Sequence, residues 1–348
     1  MPNISTTDAQ GLFTKMLIDV YKEKSIPTAF LRSFFPSVET PTLELSIEVQ
    51  RGFEKIAVDV QRGTDGNRNQ FTKSSEKIFI PPYFREWFDA TQLQLYDRLY
   101  GATEINDAMF AAFLNDVADH LMELQAKIER SYEVQCSEVL TSGIVTLKNG
   151  INIDFKRKAA SLVDEGAGQY FANAINPFDK LEAGCTFLRQ VGKAGGSVFN
   201  ALMGTQALKD LLGNTIFLQR QNLFNMALDV VTAPQMGETG ATYHGTLTCG
   251  SYKVQLWAYP QFYDLASVST PYLDDKKVIL IPITPKFKLG FAAVPQLITP
   301  NTPPRKGAFI FNDYIDKRGK AHIFDIESAG VAIPVAVDQI YTFKAVAG

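Results

Sequence analysis

The chain has 348 residues, 46% of them hydrophobic and 20% charged. That is enough chain for two or three structural units with a substantial core, and it excludes fibrous and wholly disordered architectures. Lysine and arginine number 34 against 37 aspartate and glutamate, a formal charge of −3, so no basic field exists to release counterions from nucleic acid over the whole surface.

Cys136, Cys185 and Cys249 are far apart in sequence; none has the short spacing of a zinc or redox motif, and free thiols in a reducing compartment are expected. The opening MPNISTTDAQ carries neither a basic n-region nor an apolar h-region, so synthesis and folding are expected in the cytosol. The longest apolar runs, such as Gly330 to Val337, fall well short of the roughly 18 to 20 residues that cross a bilayer.

In chain order, Leu12, Phe13, Met16, Leu17 and Val20 recur at helical spacing before Pro27 and predict a short amphipathic helix. Between Pro27 and Pro36 lie Phe30, Leu31, Phe34 and Phe35, an apolar cluster with no room for a long element. It either tucks back onto its own domain or packs against a neighbouring subunit. Leu43, Leu45, Ile47 and Val49 alternate with polar residues as a half-buried strand does. A second alternation at Ile56, Val58 and Val60, the polar stretch QRGTDGNRNQ from Gln61, and a run ending in IFIPPYF predict a long two-stranded arm over residues 51–80. Isolated ribbons are marginal in water, so the arm is expected to lie on something else.

Thr103 can cap a helix that no proline or glycine interrupts from Glu104 to Leu140, with the stripe Phe110, Phe113, Leu114, Val117, Leu121, Leu124, Ile128, Tyr132 and Val139. It ends at Gly143, after which Asn149-Gly150 predicts a hairpin between Ile144–Lys148 and Ile151–Phe155. Asn176 as N-cap, Pro177 and Asp179 open another helix with Leu181, Cys185, Leu188 and Val191 inside. A strand from Val198 to Met203, a helix capped by Thr205 and stopped by Gly213, and strands at Thr242–Tyr263 and Val278–Ile283 follow. The order of elements predicts an α+β chain with interrupted domains.

Chemistry-bearing motifs are few. His120, His244 and His322 stand singly, with no zincin, nucleophile-elbow or phosphate-loop pattern around them. Gly166 and Gly168 begin like a dinucleotide fingerprint, but Phe171 occupies the third glycine position. Asp65, Asn67, Asn69, Phe71, Lys73 and Glu76 fall at calcium-loop spacing, but Gln70 stands where the sharp turn needs glycine, so a solvated hairpin tip is the reading. No catalytic residue, metal or cofactor is expected. Residues 104–140 carry eight acids against two bases, and residues 51–77 six bases against four acids. These signs would favour the arm of one molecule lying over the long helix of another, at about 0.2 to 1 kcal/mol per exposed pair; two unrelated solvated faces fit them equally.

Phe30-Leu31-Arg32-Ser33-Phe34-Phe35, a polar-tipped arm ending at Ile80-Pro81-Pro82-Tyr83, the long helix from Glu104 and the closing VAVDQIYTFKAV resemble the major capsid protein of tailed bacteriophages, the phage lambda head protein E family. Asn176 to Leu181 and the strand-then-helix Val198 to Leu212 are similar to that family's axial domain; residues 214–310 match it poorly. The resemblance implies the Hong Kong 97-type capsid fold: an N-terminal arm (1–40), an extended β-hairpin loop (41–84), a peripheral domain (85–165) with a spine helix at 104–140, an axial domain (166–290) and a return to the peripheral domain (291–348). It implies a head protein that self-assembles into hexamers and pentamers of an icosahedral shell enclosing the DNA genome, formed in the bacterial host cytoplasm and ending in the virion.

Partners implied are a scaffold protein on a separate chain, since no long charged helical segment precedes the arm, a portal, in some relatives a decoration protein, and packaged double-stranded DNA bound without sequence specificity; no membrane is involved. Lys73 and Lys77 are the loop lysines that the cross-linking of some relatives would use. The expected assembly contacts are Phe30, Leu31, Phe34, Phe35, Arg62, Arg68, Lys73 and Lys77. Two other readings stay open, a different phage structural part such as a tail tube or decoration protein, and an intracellular enzyme built on scattered carboxylates.

Overall fold

The computed structural model describes residues 28–50, 74–91, 107–147, 152–164, 166, 169–172, 175–223, 235–236, 239–265, 267–295, 303–315 and 321–347. A 3₁₀ turn at Arg32–Phe34 leads into β1 (Ser37–Glu39), β2 (Leu45–Gln50), β3 (Ser74–Phe79) and β4 (Phe84–Thr91). Helix α1 (Asp107–Thr141) is followed by β5 (Ile144–Val145), β6 (Ile153–Asp154) and β7 (Leu162–Val163). Then come α2 (Pro177–Gln190), β8 (Val198–Met203), α3 (Thr205–Gly213), α4 (Thr215–Leu223), β9 (Gln235–Met236), β10 (Thr242–Cys249) and β11 (Tyr252–Ala258). The hairpin β12 (Phe262–Leu265) and β13 (Val268–Pro271), β14 (Lys277–Pro282), β15 (Phe287–Phe291), β16 (Ile310–Ile315), β17 (Ala321–Ser328), β18 (Gly330–Pro334) and β19 (Tyr341–Lys344) complete the described elements.

A seven-stranded sheet of order β7-β19-β14-β8-β11-β10-β9 is the largest of the sheets. Its inner strands β8 (VFNALM) and β14 (KVILIP) are almost wholly buried, and their continuous apolar character is what a strand covered on both faces requires. Successive side chains point to opposite faces, so the sheet divides two cores. Phe199, Ala201, Met203, Val278 and Leu280 join Leu181, Cys185, Leu188 and Leu211 of α2 and α3 in one. Leu202, Ile279 and Ile281 join Ile128, Tyr132, Cys136 and Leu140 of α1 in the other. Each fully buried side chain of this size contributes about 1.5–3 kcal/mol.

Helix α1 runs for 35 residues, about 52 Å at 1.5 Å per residue. Gly143, at φ 78°, takes the left-handed conformation that ends a helix. From Ile128 to Leu140 the helix is buried on most of its circumference, so three of its buried residues there are polar, and each holds a different segment. Gln135 accepts from the Ala332 amide of β18 at 3.3 Å, Ser137 donates to the Tyr272 carbonyl, and Glu133 holds the N-terminal turn. The β1-β15-β18 sheet packs on this stretch at close range: a Cβ on Gly330 would come within 2.8 Å of the Tyr132 and Phe291 rings.

Most sequence expectations hold, with instructive differences. Asn176 caps α2, accepting from the Phe178 amide at 3.2 Å, with Pro177 in the first turn; Leu181, Cys185 and Leu188 are buried, but Val191 is the exposed C-cap. At α3 the expected cap is displaced by one residue. Gly204 is the N-cap, and Thr205 instead donates to Asp275 at 2.8 Å. The two-stranded arm begins earlier than residue 51, because Leu45–Gln50 itself pairs antiparallel with Ser74–Phe79. The alternation at residues 56–60, the first predicted helix, the calcium-like spacing from Asp65 to Lys73 and the Asn149-Gly150 turn lie outside the described residues. All three cysteines are buried, and none is in a disulfide.

Candidate assembly surfaces

The expected assembly contacts divide into two groups. The first is corrected by the structure: Phe30, Leu31 and Phe35 are buried in their own chain. The turn Arg32–Phe34 is fastened by Glu133, whose Oε1 accepts from the Leu31 amide at 2.8 Å and whose Oε2 accepts from the Arg32 amide at 2.9 Å. Tyr259 donates its hydroxyl to the same Oε1 at 2.8 Å, and Arg32 lies 3.5 Å from Glu129 one turn away. Held there, Phe30 packs on Trp257 and Tyr259 at 5.4 Å, and Phe35 stacks on Phe287 at 4.9 Å. β1 then adds parallel to β15. Tucking back onto the chain's own body, the alternative left open by the sequence, is what these residues do. Phe34 alone of the cluster stays half-exposed, edge-on to Phe30 at 5.4 Å.

Glu133 is wholly buried, and burial pushes its carboxyl above the ordinary carboxylate range while the Leu31 amide, the Tyr259 hydroxyl and the Arg32 amide pull it back. A carboxylate accepting from successive amides at the start of a turn is a capping arrangement supplied from another segment.

The second group is the ribbon. Lys77 lies in β3 opposite Ile47 of β2; Arg62, Arg68 and Lys73 lie outside the described residues. β2 and β3 form a sheet of their own, anchored at its base by Leu45, which enters the core beside Gly290.

A third surface had no signal in the sequence reading. β4 pairs with β17 and β17 with β16, and the residues of β4 alternate across this sheet. Phe84 meets Tyr132, Glu86 meets Lys127 at 2.6 Å and Phe88 meets His120, all on α1. Arg85 and Trp87 therefore face away from the helix, with Tyr83 and Tyr314 exposed beside them. The hairpin β12–β13 likewise exposes Phe262, Leu265 and Val268.

Among the described residues no ionisable side chains converge as a catalytic constellation would. His120 pairs with Glu123, His322 with Asp313, and His244 sits at the β10 bulge. A cleft of about 450 Å³ brings Glu138, Asp274, Asp275 and Lys276 beside Ser137 and Tyr272, with no histidine or cysteine in its lining.

The family model of phage major capsid protein E matches residues 14–345. The chain belongs to this family. Among curated proteins no sequence matches it. Among solved structures, it is similar to a prophage protein of E. coli CFT073 described as a capsid protein, at 14% identity and TM-score 0.60 over 92% of this chain and 94% of that one. It is also similar to the capsid of Cyanophage P-SCSP1u, at 8% identity and TM-score 0.54 over 100% and 97%. Likeness at such identity is likeness of fold, and the fold is the Hong Kong 97-type capsid fold. As a phage major capsid protein the chain is a shell-forming head protein of the virion, which implies a structural, non-enzymatic role.

Proposed function

We propose that copies of this chain close into the hexamers and pentamers of an icosahedral shell around double-stranded DNA, with a scaffold on a separate chain, a portal and a decoration protein as partners, assembled in the cytoplasm of a bacterial host. In this reading residues 85–165 and 291–348 are the peripheral domain around the spine helix, and 166–290 are the axial domain. The arm is 1–40 and the extended loop 41–84. The core built on α2 and α3 supports the axial part of the division, since its buried residues fall within 166–290 apart from Tyr341, Phe343 and Ala345. The observation that carries the reading is the ribbon β2–β3, which leaves the body at Leu45 and Phe79 and pairs with no third strand among the described residues. A two-stranded ribbon is marginal by itself; a neighbouring copy completes it. Lys77 on it, and Arg62, Arg68, Lys73 and the half-exposed Phe34, are the contacts proposed. The net charge of −3 suits a liner that encloses DNA without gripping it.

Sedimentation of the purified or co-expressed chain tests this: capsomers or shells are expected, and a persistent monomer under assembly conditions contradicts it. Phe34→Asp removes half-buried apolar surface only, so circular dichroism of the unassembled chain is expected to stay close to the parent while particles are lost. Normal particle yield from that variant removes Phe34 from assembly.

A further inference from the structure

The sheet β16-β17-β4 turns one face to α1 and the other to solvent. On the solvent face Arg85 stands opposite Glu327, and Trp87 opposite Asp325. The two carboxylates are 1% and 7% exposed, although they lie on the open side of a sheet. What covers them is a layer of side chains that are themselves exposed: Trp87 at 58%, Tyr83 at 52% and Tyr314 at 44%, with Arg85 among them.

The cover satisfies only part of what it hides. Arg85 donates through Nε at 2.9 Å and Nη2 at 2.6 Å to one oxygen of Asp325, Oδ2, and its Nε lies 3.4 Å from Glu327 Oε1. Asp325 Oδ1 and Glu327 Oε2 are buried with no hydrogen-bond partner. Tyr83 donates its hydroxyl to Glu327, so two carboxylates share one guanidinium and one hydroxyl, and the patch keeps more acidic than basic groups with two acceptors unused. A buried acceptor without a donor is destabilising, more so when it is charged. Tryptophan, tyrosine and arginine exposed together are the residue types that dominate interface energetics, and an exposed indole face attracts cations.

We propose that this face, Tyr83, Arg85, Trp87 and Tyr314 over the Asp325 and Glu327 pair, is a docking surface for a second copy of the chain, which lays a lysine or arginine side chain on Trp87 above the acidic pair. The cation follows from the unspent negative charge. The second copy follows from membership of a shell-forming family, in which each subunit abuts others of its kind. The inference rests on that shell-forming reading, and its test is made in particles that have already formed, so that its failure is distinct from failure to assemble.

Hydroxyl-radical footprinting read by mass spectrometry compares particles containing no other outer-surface protein with released subunits. Oxidation of Trp87 and Tyr314 is expected to be several-fold slower in the particles. Equal oxidation in both, or protection that requires addition of a different protein, overturns the proposal. Glu327→Gln supplies the second arm. The unassembled variant is expected to melt at or above the parent temperature, because one of two buried acids that share a single guanidinium is gone, while particle yield falls about tenfold, as for loss of one charged contact across an interface. Parental yield, or a subunit that melts well below the parent, overturns it by assigning the pair to the chain's own fold.

Discussion

Glu133→Ala is expected to destabilise the unassembled chain by about 3–5 kcal/mol and to release the turn at Arg32–Phe34, measured by urea denaturation together with proteolysis of the segment around Phe30. The substitution strips the acceptor from the Leu31 and Arg32 amides and from the Tyr259 hydroxyl at once, and the two amides have no other carboxylate within the arrangement. Released, the turn carries Phe30, Leu31 and Phe35 out of the core. Glu133→Gln keeps the volume, but its amide nitrogen turns a donor toward a donor. It is expected to destabilise less than alanine and still leave the turn loosened.

The same residue makes docking of the turn depend on pH. Burial holds the Glu133 carboxyl above the ordinary carboxylate range. Between the ordinary value and the raised one, the folded chain keeps a proton that the unfolded chain has lost, so stability falls as pH rises through that window and is greatest on its acid side. Urea midpoints across about pH 4 to 7 are expected to show a downward slope in the parent that Glu133→Gln lacks. An identical slope in both assigns the pH dependence to other groups.

Arg157→Met is expected to destabilise by about 2–4 kcal/mol, the loss of several charge-assisted hydrogen bonds at a buried joint. The guanidinium donates to the Leu140 carbonyl at the end of α1 at 2.9 Å, to the Ser161 carbonyl at 3.0 Å, to the Ile340 carbonyl at 3.2 Å and to the Thr342 hydroxyl at 3.1 Å. It therefore ties the last turn of the long helix to the segment before β7 and to β19, and it satisfies a helix-end carbonyl that has no partner within the helix. Burial lowers its pKa to about 10, still charged at neutral pH, so methionine removes the charge and every donor while keeping the length. Urea denaturation of the unassembled chain reads the loss; a midpoint equal to the parent contradicts the assignment of Arg157 as a clamp.

Local patterns carried much of the architecture. The uninterrupted run from Glu104 to Leu140, the Asn176-Pro177 start and the alternation at Leu45–Val49 each depend on residues within a turn or two of one another, and each reads through to an observed element. The continuous apolar strands β8 and β14 were visible too, but not that they divide two cores. The fate of the Phe30 to Phe35 cluster was illegible because its partner is Glu133, 102 residues from Leu31. A single acid inside an apolar stripe reads as a flaw in the stripe, and only the fold shows it meeting two free amides. The solvent face of the β16-β17-β4 sheet failed for a related reason. Asp325 and Glu327 alternate with Phe324 and Ile326 and so point away from α1, yet side chains from β4 and β16 lie over them and bury them, which only the pairing of distant strands reveals. At α3 the threonine was adjacent to the right position, but Gly204 comes so close to Asp274 and Asp275 that a Cβ would fall within 2.3 Å of the Asp274 carbonyl oxygen, and that approach sets where the helix begins.

Cryo-electron microscopy of particles formed by the full chain tests the shell subunit most directly. The expected map shows closed shells in which the two-core body keeps the fold described here, each β2–β3 ribbon resting on an adjacent copy in rings of five and of six. A map in which the ribbon folds back onto its own body, or preparations that hold only isolated chains, would contradict it.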